Sequence, residues 1–253
     1  MKKYAVVTGA SSGIGAEFAK FLSKMGYDLI LVARREDKLV ELSKSLKTES
    51  VIIQADLARQ EDVYALFNEV KNYNVHVFIN NAGFGDCGYF PSTDLDKDVE
   101  MISVNVMAVH ILSKLMIGYF DNKGGGYLLN VASSAGILPA GPYMATYYAT
   151  KNYVVSLTRA ISHELKENGS NVYIGALCPG PVNTEFNSVA NVSFALKGIS
   201  PKSCARYALK QMKKRKTIIV PTLRMKAVCS GHRFLPTDFA VAMTAKQQKK
   251  KIY

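Results

Sequence analysis

The sequence predicts an α/β protein in which a doubly wound, Rossmann-like parallel sheet of seven strands forms a single domain. Short β-branched runs alternate with longer segments of helical period, the pattern of βαβ units on a parallel sheet. Most of these runs are apolar at successive positions, as strands covered by helices on both faces must be. No Pro/Ser-rich linker or repeat of solenoid length divides the chain before about residue 185.

Taken in order, residues 4–7 form the first strand and run into the glycine turn Thr8 to Gly15, where a helix over 14–25 begins. Residues 29–32 end at Arg34 and Arg35 and precede a helix over 38–46. The third strand, 51–53, leads through Ala55, Asp56 and Leu57 to a helix over 62–70, and the fourth, 75–79, ends at Asn80 and Asn81. A long helix over 99–119 follows, then a strand over 127–131 that closes on Ser133 and Ser134. A helix over 147–167, a strand over 172–177, a helix over 202–213 and a strand over 217–220 complete the set. Residues 1–221 thus make the domain, with a substrate cover at about 183–200, and 222–253 form a basic extension packed on it or trailing from it.

Composition narrows the classes. Of 253 residues, 48% are hydrophobic and 21% charged, which supplies a core and argues against disorder. Met1-Lys2-Lys3 has the charge of a signal-peptide start, but the apolar run ends before Thr8, and no stretch of about 18 uninterrupted apolar residues follows. The expected location is cytoplasmic. Cys87, Cys178, Cys204 and Cys229 form no C-x-x-C pair, so no metal site is expected, and His163-Glu164 lacks the second histidine of H-E-x-x-H. The net charge of +12 is uneven: residues 197–253 hold 15 Lys and Arg against the single acid Asp238.

The turn Gly9, Ser11, Ser12, Gly13, Ile14 and Gly15 lies at the first strand-to-helix junction. There, small residues let the backbone approach a pyrophosphate lying at a helix amino terminus. The spacing T-G-x-x-x-G-x-G resembles that of the short-chain dehydrogenase/reductase family, and Asn80-Asn81-Ala82-Gly83 after the fourth strand resembles the family's N-N-A-G element. The resemblance covers residues 1 to about 221. It implies a hydride-transferring oxidoreductase with Asn81, Ala82 and Gly83 beside the cofactor, Asp56 and Leu57 at the adenine, and Pro179, Gly180, Val182 and Thr184 along the nicotinamide. Asp56 also suits a helix cap, and the two roles are compatible.

The end of the second strand is where a dinucleotide site reads the adenosine ribose, and an acid there would accept the 2′-hydroxyl of NAD. Here Arg34 stands in that place with Arg35 beside it, and a guanidinium binds phosphate, so NADP(H) is expected with Ser11 assisting.

Reduction of a carbonyl leaves an alkoxide that must be protonated. A tyrosine is too weak an acid until a nearby cation favours its phenolate. Tyr147 has Lys151 one helical turn on, whereas Tyr143, Tyr148 and Tyr153 have no lysine at that spacing. The family resemblance adds a serine after the fifth strand: the usual serine-to-tyrosine separation selects Ser134, while N-x-x-S-x-A-G selects Ser133, which is favoured because loops accept insertions more readily than strand ends shift. It also adds Asn105, which otherwise reads as a satisfied polar residue of a buried helix. The expected reaction is hydride transfer between NADP(H) and a carbonyl or secondary alcohol held by Ser133 and Tyr147. Tyr147 gives the proton, and Lys151 lowers its pKa and positions the ribose.

A catalytically silent, dinucleotide-sensing regulatory protein is the rival reading; it would be expected to lack the tyrosine or lysine present here. Phe186, Val189, Val192, Phe194, Ala195 and Leu196 suggest an apolar cover and a hydrophobic substrate. The family implies a homodimer or homotetramer through the helices of Asn105 and Tyr147. The basic end suits an anionic or carrier-bound substrate or an anionic membrane surface, with Phe234, Leu235 and Phe239 adding apolar contact. Nucleic acid is disfavoured, since no binding module accompanies the charge.

Overall fold

The structure, a computed structural model, describes residues 2–190 and 198–249, the side chains of residues 187 and 188 excepted. Val192, Phe194, Ala195 and Leu196 of the expected cover, and Lys250 and Lys251, lie outside the described residues.

Seven parallel strands form one sheet: β1 (Tyr4–Thr8), β2 (Asp28–Ala33), β3 (Ser50–Gln54), β4 (Val75–Asn80), β5 (Gly126–Val131), β6 (Val172–Leu177) and β7 (Ile218–Ile219). Their order is β3-β2-β1-β4-β5-β6-β7. The chain therefore winds outward from β1 in one direction and resumes at β4 in the other, which opens a crevice at the carboxyl ends of β1 and β4. Alternate residues feed opposite faces. Ala5, Val7, Leu29 and Leu31 join one core with Phe18 and Leu22 of α1 (Gly13–Lys24), Leu39 of α2 (Glu36–Lys44) and Cys204 and Ala208 of α8 (Pro201–Lys213). Val6, Ile30, Val32 and Phe78 join the other, against Leu66 of α3 (Gln60–Val70) and Leu112 and Phe120 of α5 (Val109–Asn122). This two-sided burial is why the strands read as continuous apolar runs.

Where one helix over 99–119 was expected, the chain forms α4 (Leu95–Ile102), a π-helical segment (Ser103–Ala108) and α5 in direct succession. The stretch Leu95–Asn122 is long and apolar enough by length and mean composition to cross a membrane, although, as expected, charged residues and His110 interrupt its apolar run. In this fold it brings Met101, Val109, Leu112, Met116 and Phe120 into the interior. α6 (Ala145–Glu167) carries the Tyr147/Lys151 pair, and the short α7 (Phe186–Val189) follows the turn after β6.

Besides the short α7, two helices of the basic extension were not anticipated: α9 (Leu223–Gly231) and α10 (Thr237–Lys249). Their apolar residues do not concentrate on one helical face, so periodicity gave no signal. Described residues of the basic extension pack on the domain rather than trail from it. Met225 fills the space above Gly180, where an added Cβ would lie 2.6 Å from its Cγ. Ala240 and Gln248 are buried, and the Gln248 amide donates to the Tyr148 hydroxyl at 2.6 Å.

Candidate active site

The turn after β1 is shaped by contacts that only glycine allows. Gly9 and Gly13 have φ of +62° and +58°, in the left-handed region. A Cβ on Gly15 would stand 2.2 Å from the Gly9 carbonyl oxygen, so this residue lets α1 start against the turn. Ser12, at the N-cap of α1, makes no side-chain hydrogen bond to the helix backbone, and no acid lies in the first turn. The helix amino terminus thus presents unpaired N–H groups and a positive dipole end, a cradle that fits a dinucleotide pyrophosphate. Asn81 holds the cradle from β4: its side chain donates to the carbonyls of Thr8 and Gly9 at 2.9 and 3.1 Å. The Thr8 hydroxyl in turn accepts from the backbone N–H groups of Asn81 and Ala82. Thr8 opens the T-G-x-x-x-G-x-G motif, but sequence reasoning gave it no role, because its hydroxyl meets Asn81 and Ala82 only once β1 and β4 are side by side.

At the end of β2, Arg34 pairs with Glu100 at 2.7 Å, while Arg35 donates to Ser11 at 3.2 Å and pairs with Glu185 at 2.9 Å. All four charged groups are substantially exposed. Asp56 does not cap α3, whose cap position is Arg59. Its carboxylate instead accepts from Ala58 N at 3.1 Å in a local turn, and Leu57 is buried beside it.

Beyond β5, the Ser133 hydroxyl hydrogen-bonds the Tyr147 hydroxyl and accepts from Ala135 N. Ser134 begins a single 3₁₀ turn and is tied through its backbone N–H to Pro179 O. Of the two serines, Ser133 is therefore the one brought to Tyr147. Lys151 is buried, donates to Val131 O at 3.1 Å, and has its Nζ 5.9 Å from the centre of the Tyr147 ring. Burial pushes the Tyr147 phenol up to about 12, against the lowering effect of the Ser133 hydrogen bond. Burial also brings Lys151 down to about 8. The expected lowering of the tyrosine by the lysine is not seen: burial dominates both groups, and the one lowering contribution to Tyr147 comes from Ser133. At neutral pH Tyr147 keeps its proton and Lys151 remains largely cationic.

Asn105 stands behind this group rather than on the cleft wall. In the π-helical segment it is fully buried, donates to Phe84 O at 2.8 Å and Thr150 Oγ1 at 3.2 Å, and accepts from Phe84 N at 3.1 Å. It is close to the lysine all the same: a Cβ on Gly83 would lie 2.7 Å from Asn105 Oδ1 and 3.1 Å from Lys151 Nζ.

These parts share one cleft of about 890 Å³. Every expected site residue lines it except Gly15 and Asn105, which support it from behind. Phe186 of the expected cover lies against the Tyr147 ring at 5.4 Å between centroids, and Val189 also faces the cleft. The cleft is also lined by residues that sequence reasoning did not single out, among them Met225, Val228, His232, Met243 and Gln248 of the carboxyl-terminal segment. No group of three or more metal-ligating side chains occurs among the described residues.

A parallel sheet in this order, a glycine cradle at its first crossover and a Ser/Tyr/Lys group facing the same cleft define a dinucleotide-binding oxidoreductase scaffold. Residues 3–193 match the short chain dehydrogenase family, and the chain belongs to it. A very-long-chain 3-oxoacyl-CoA reductase from Anas platyrhynchos is 32% identical over 200 residues, covering 76% of this chain and 63% of that protein. The match therefore spans somewhat less than two thirds of that relative's length. Among solved structures, a short-chain dehydrogenase from Sphingobium yanoikuyae in complex with NADPH superposes with a TM-score of 0.83 at 29% identity, covering 92% of this chain and 94% of the other. One from Burkholderia phymatum in complex with NAD gives a TM-score of 0.84 at 25% identity, with 92% and 93% covered.

Proposed function

We propose that this protein is an NADP(H)-dependent oxidoreductase that interconverts a hydrophobic carbonyl compound and its secondary alcohol. The observation that carries the reading is the buried Tyr147 hydroxyl, hydrogen-bonded by Ser133, backed by Lys151 and facing the cleft that the glycine cradle opens. Gly9, Gly13, Ile14 and the first-turn amides of α1 would hold the pyrophosphate, Asp56 and Leu57 the adenine end, and Gly180, Val182 and Thr184 the nicotinamide end. The bound nicotinamide supplies or accepts the hydride. Ser133 and Tyr147 orient the carbonyl oxygen by hydrogen bonds, and Tyr147, protonated at neutral pH, gives its proton to the oxygen as negative charge develops. The Lys151 cation favours the phenolate left behind, and Asn105 is a positioning residue for the lysine.

NADP(H) is favoured over NAD(H) because the neighbours of known structure hold either cofactor, and only side chains at the end of β2 separate the two here. Exposed ion pairs such as Arg34–Glu100 and Arg35–Glu185 are worth about 0–1 kcal/mol, so a doubly charged phosphate able to take a bidentate hydrogen bond displaces them.

The apolar residues Leu95, Val99, Ile102, Met107 and Tyr153 are exposed on α4 to α6, which supports a homodimer or homotetramer through these helices. The basic segment supports attraction of an anionic partner, whether a carrier-bound substrate or an anionic membrane surface. A cytoplasmic location remains part of the same proposal.

The deciding assay is NADPH oxidation with a panel of hydrophobic ketones, aldehydes and diketones. Tyr147→Phe is expected to lower kcat by at least about 10³-fold with little change in NADPH affinity. Near-native turnover in that variant rejects the mechanism, and NADPH binding without turnover of any carbonyl favours the regulatory alternative.

A further inference from the structure

We propose that the carboxyl-terminal helices build a polar anchor in the cleft beside Tyr148, and that the substrate is an apolar carbonyl compound carrying a separate hydroxyl group. The inference deepens the oxidoreductase reading and rests on it only in taking the cleft as the substrate's site.

Gln248, on α10, lines the cleft and is only 2% exposed. Its amide nitrogen is committed to the Tyr148 hydroxyl at 2.6 Å, but its carbonyl oxygen, Oε1, is buried with no hydrogen-bond partner among the described residues. A second buried atom without a partner among the described residues, Nδ1 of His232, belongs to another residue lining the cleft. Buried polar atoms are nearly always satisfied, because leaving one unpaired forfeits its solvation with nothing in return. Here the two lie among side chains that are otherwise largely apolar, including Met225, Val228, Leu235 and Met243.

The chemistry of the pair narrows the ligand. An amide carbonyl only accepts, so it calls for a donor. Tyr148 Oη receives the Gln248 amide and still has its own proton to give. A hydroxyl group donates and accepts at once, so it can answer both, whereas a carbonyl cannot donate and an ammonium cannot accept. The imidazole nitrogen serves either role according to its tautomer. The anchor is also one side chain from the reacting group: the Tyr148 ring stands 6.4 Å from that of Tyr147, centre to centre. One substrate can therefore reach Tyr147 with its carbonyl and the anchor with its hydroxyl. A site built to satisfy a hydroxyl rejects the analogue that lacks it, since the polar atoms are then buried unpaired.

The test uses paired 2-alkanones and ω-hydroxy-2-alkanones of about six to twelve carbons, which vary the carbonyl-to-hydroxyl distance. The full-length protein is measured by NADPH oxidation and, with saturating NADP⁺, by titration calorimetry. At the matching chain length the hydroxyl is expected to improve both kcat/KM and Kd by about tenfold or more over the plain ketone, chiefly through KM. In Gln248→Leu that ratio falls to about one. In Tyr148→Phe, which keeps the glutamine, it falls only in part. No hydroxyl preference at any length, or a preference that survives in a folded Gln248→Leu variant, overturns the anchor. Plain ketones reduced with no hydroxyl preference overturn it while leaving the oxidoreductase reading intact. A calorimetric preference without turnover keeps the anchor and refutes the oxidoreductase reading.

Discussion

Burial moves Lys151 and Tyr147 in opposite directions, and the lysine carries a cost that the fold must absorb. Its pKa falls from 10.5 to about 8, so the unfolded chain binds more protons than the folded one between about pH 8 and 10.5, and stability rises with pH across that window. At pH 7 the shift corresponds to roughly 3 kcal/mol held against folding. Lys151→Met is therefore expected to raise Tm by several degrees at pH 7 while removing activity, with the stabilisation shrinking towards pH 10. Thermal melts of both proteins at the two pH values check this, and a Tm difference independent of pH contradicts it. Arg34 and Arg35 obey a different balance, because both are exposed and their carboxylate partners are weak competitors for a phosphate. The double substitution Arg34→Asp, Arg35→Asp should raise KM for NADPH by about a hundredfold and leave NADH much less affected, on the scale of two lost charge-assisted contacts. An unchanged NADPH preference rejects the assignment.

At the scale of elements, the cofactor site depends on how closely α1 can approach the end of β1. An alanine at position 15 puts a methyl group 2.2 Å from a backbone oxygen and 2.6 Å from the Asn81 amide, so either the helix retreats or the Asn81 clamp opens. Overpacking against backbone of this kind costs about 1–3 kcal/mol or more, and here it strikes the amides that would receive the pyrophosphate. Gly26 is the natural control: its φ is +87°, yet nothing lies within 4 Å of an added Cβ, so Gly26→Ala should cost only about 1 kcal/mol of backbone strain. Urea unfolding and NADPH titration of both variants are expected to show weakened binding for Gly15→Ala alone. The π-helical segment belongs to the same scale. A sequence period of 3.6 continues through it without a mark, so the helix that holds Asn105 reads as uniform until its contacts with Phe84 and Thr150 are seen.

Across the whole molecule, charge is segregated: 15 of the 32 basic residues fall in 197–253 with one acid. Such an imbalance produces a positive potential that acts over about a Debye length and fades with salt. Because Gln248 is buried against Tyr148, deleting the carboxyl terminus would damage the cleft, and charge reversal is the cleaner probe. Arg224→Glu, which lines the cleft, with Lys246→Glu on α10 should reduce kcat/KM for an acidic or carrier-bound carbonyl by about tenfold at low ionic strength. The effect should vanish near 0.5 M salt and be absent for a neutral ketone. Equal losses on both substrates would assign the basic segment to solubility.

What the sequence determined alone was local. Apolar runs buried on both faces identified the strands to within a residue or so, because a two-sided environment leaves its mark on every position of a strand. The glycine spacing marked the cradle, and a single helical turn joined Tyr147 to Lys151, since both patterns follow from the geometry of a few neighbouring residues. Tertiary structure decided everything that depends on meetings between distant segments. It brought Ser133 rather than Ser134 to Tyr147, and set Asn105 behind Gly83 instead of in the cleft. It gave Arg34 and Arg35 carboxylate partners 66 and 150 residues away. It also folded α9 and α10 over the cleft, though their apolar residues show no helical stripe, because these helices bury isolated side chains against a wall already built by others. Periodicity records a continuous buried face, and a contact made by one Met or one Gln leaves no period to read.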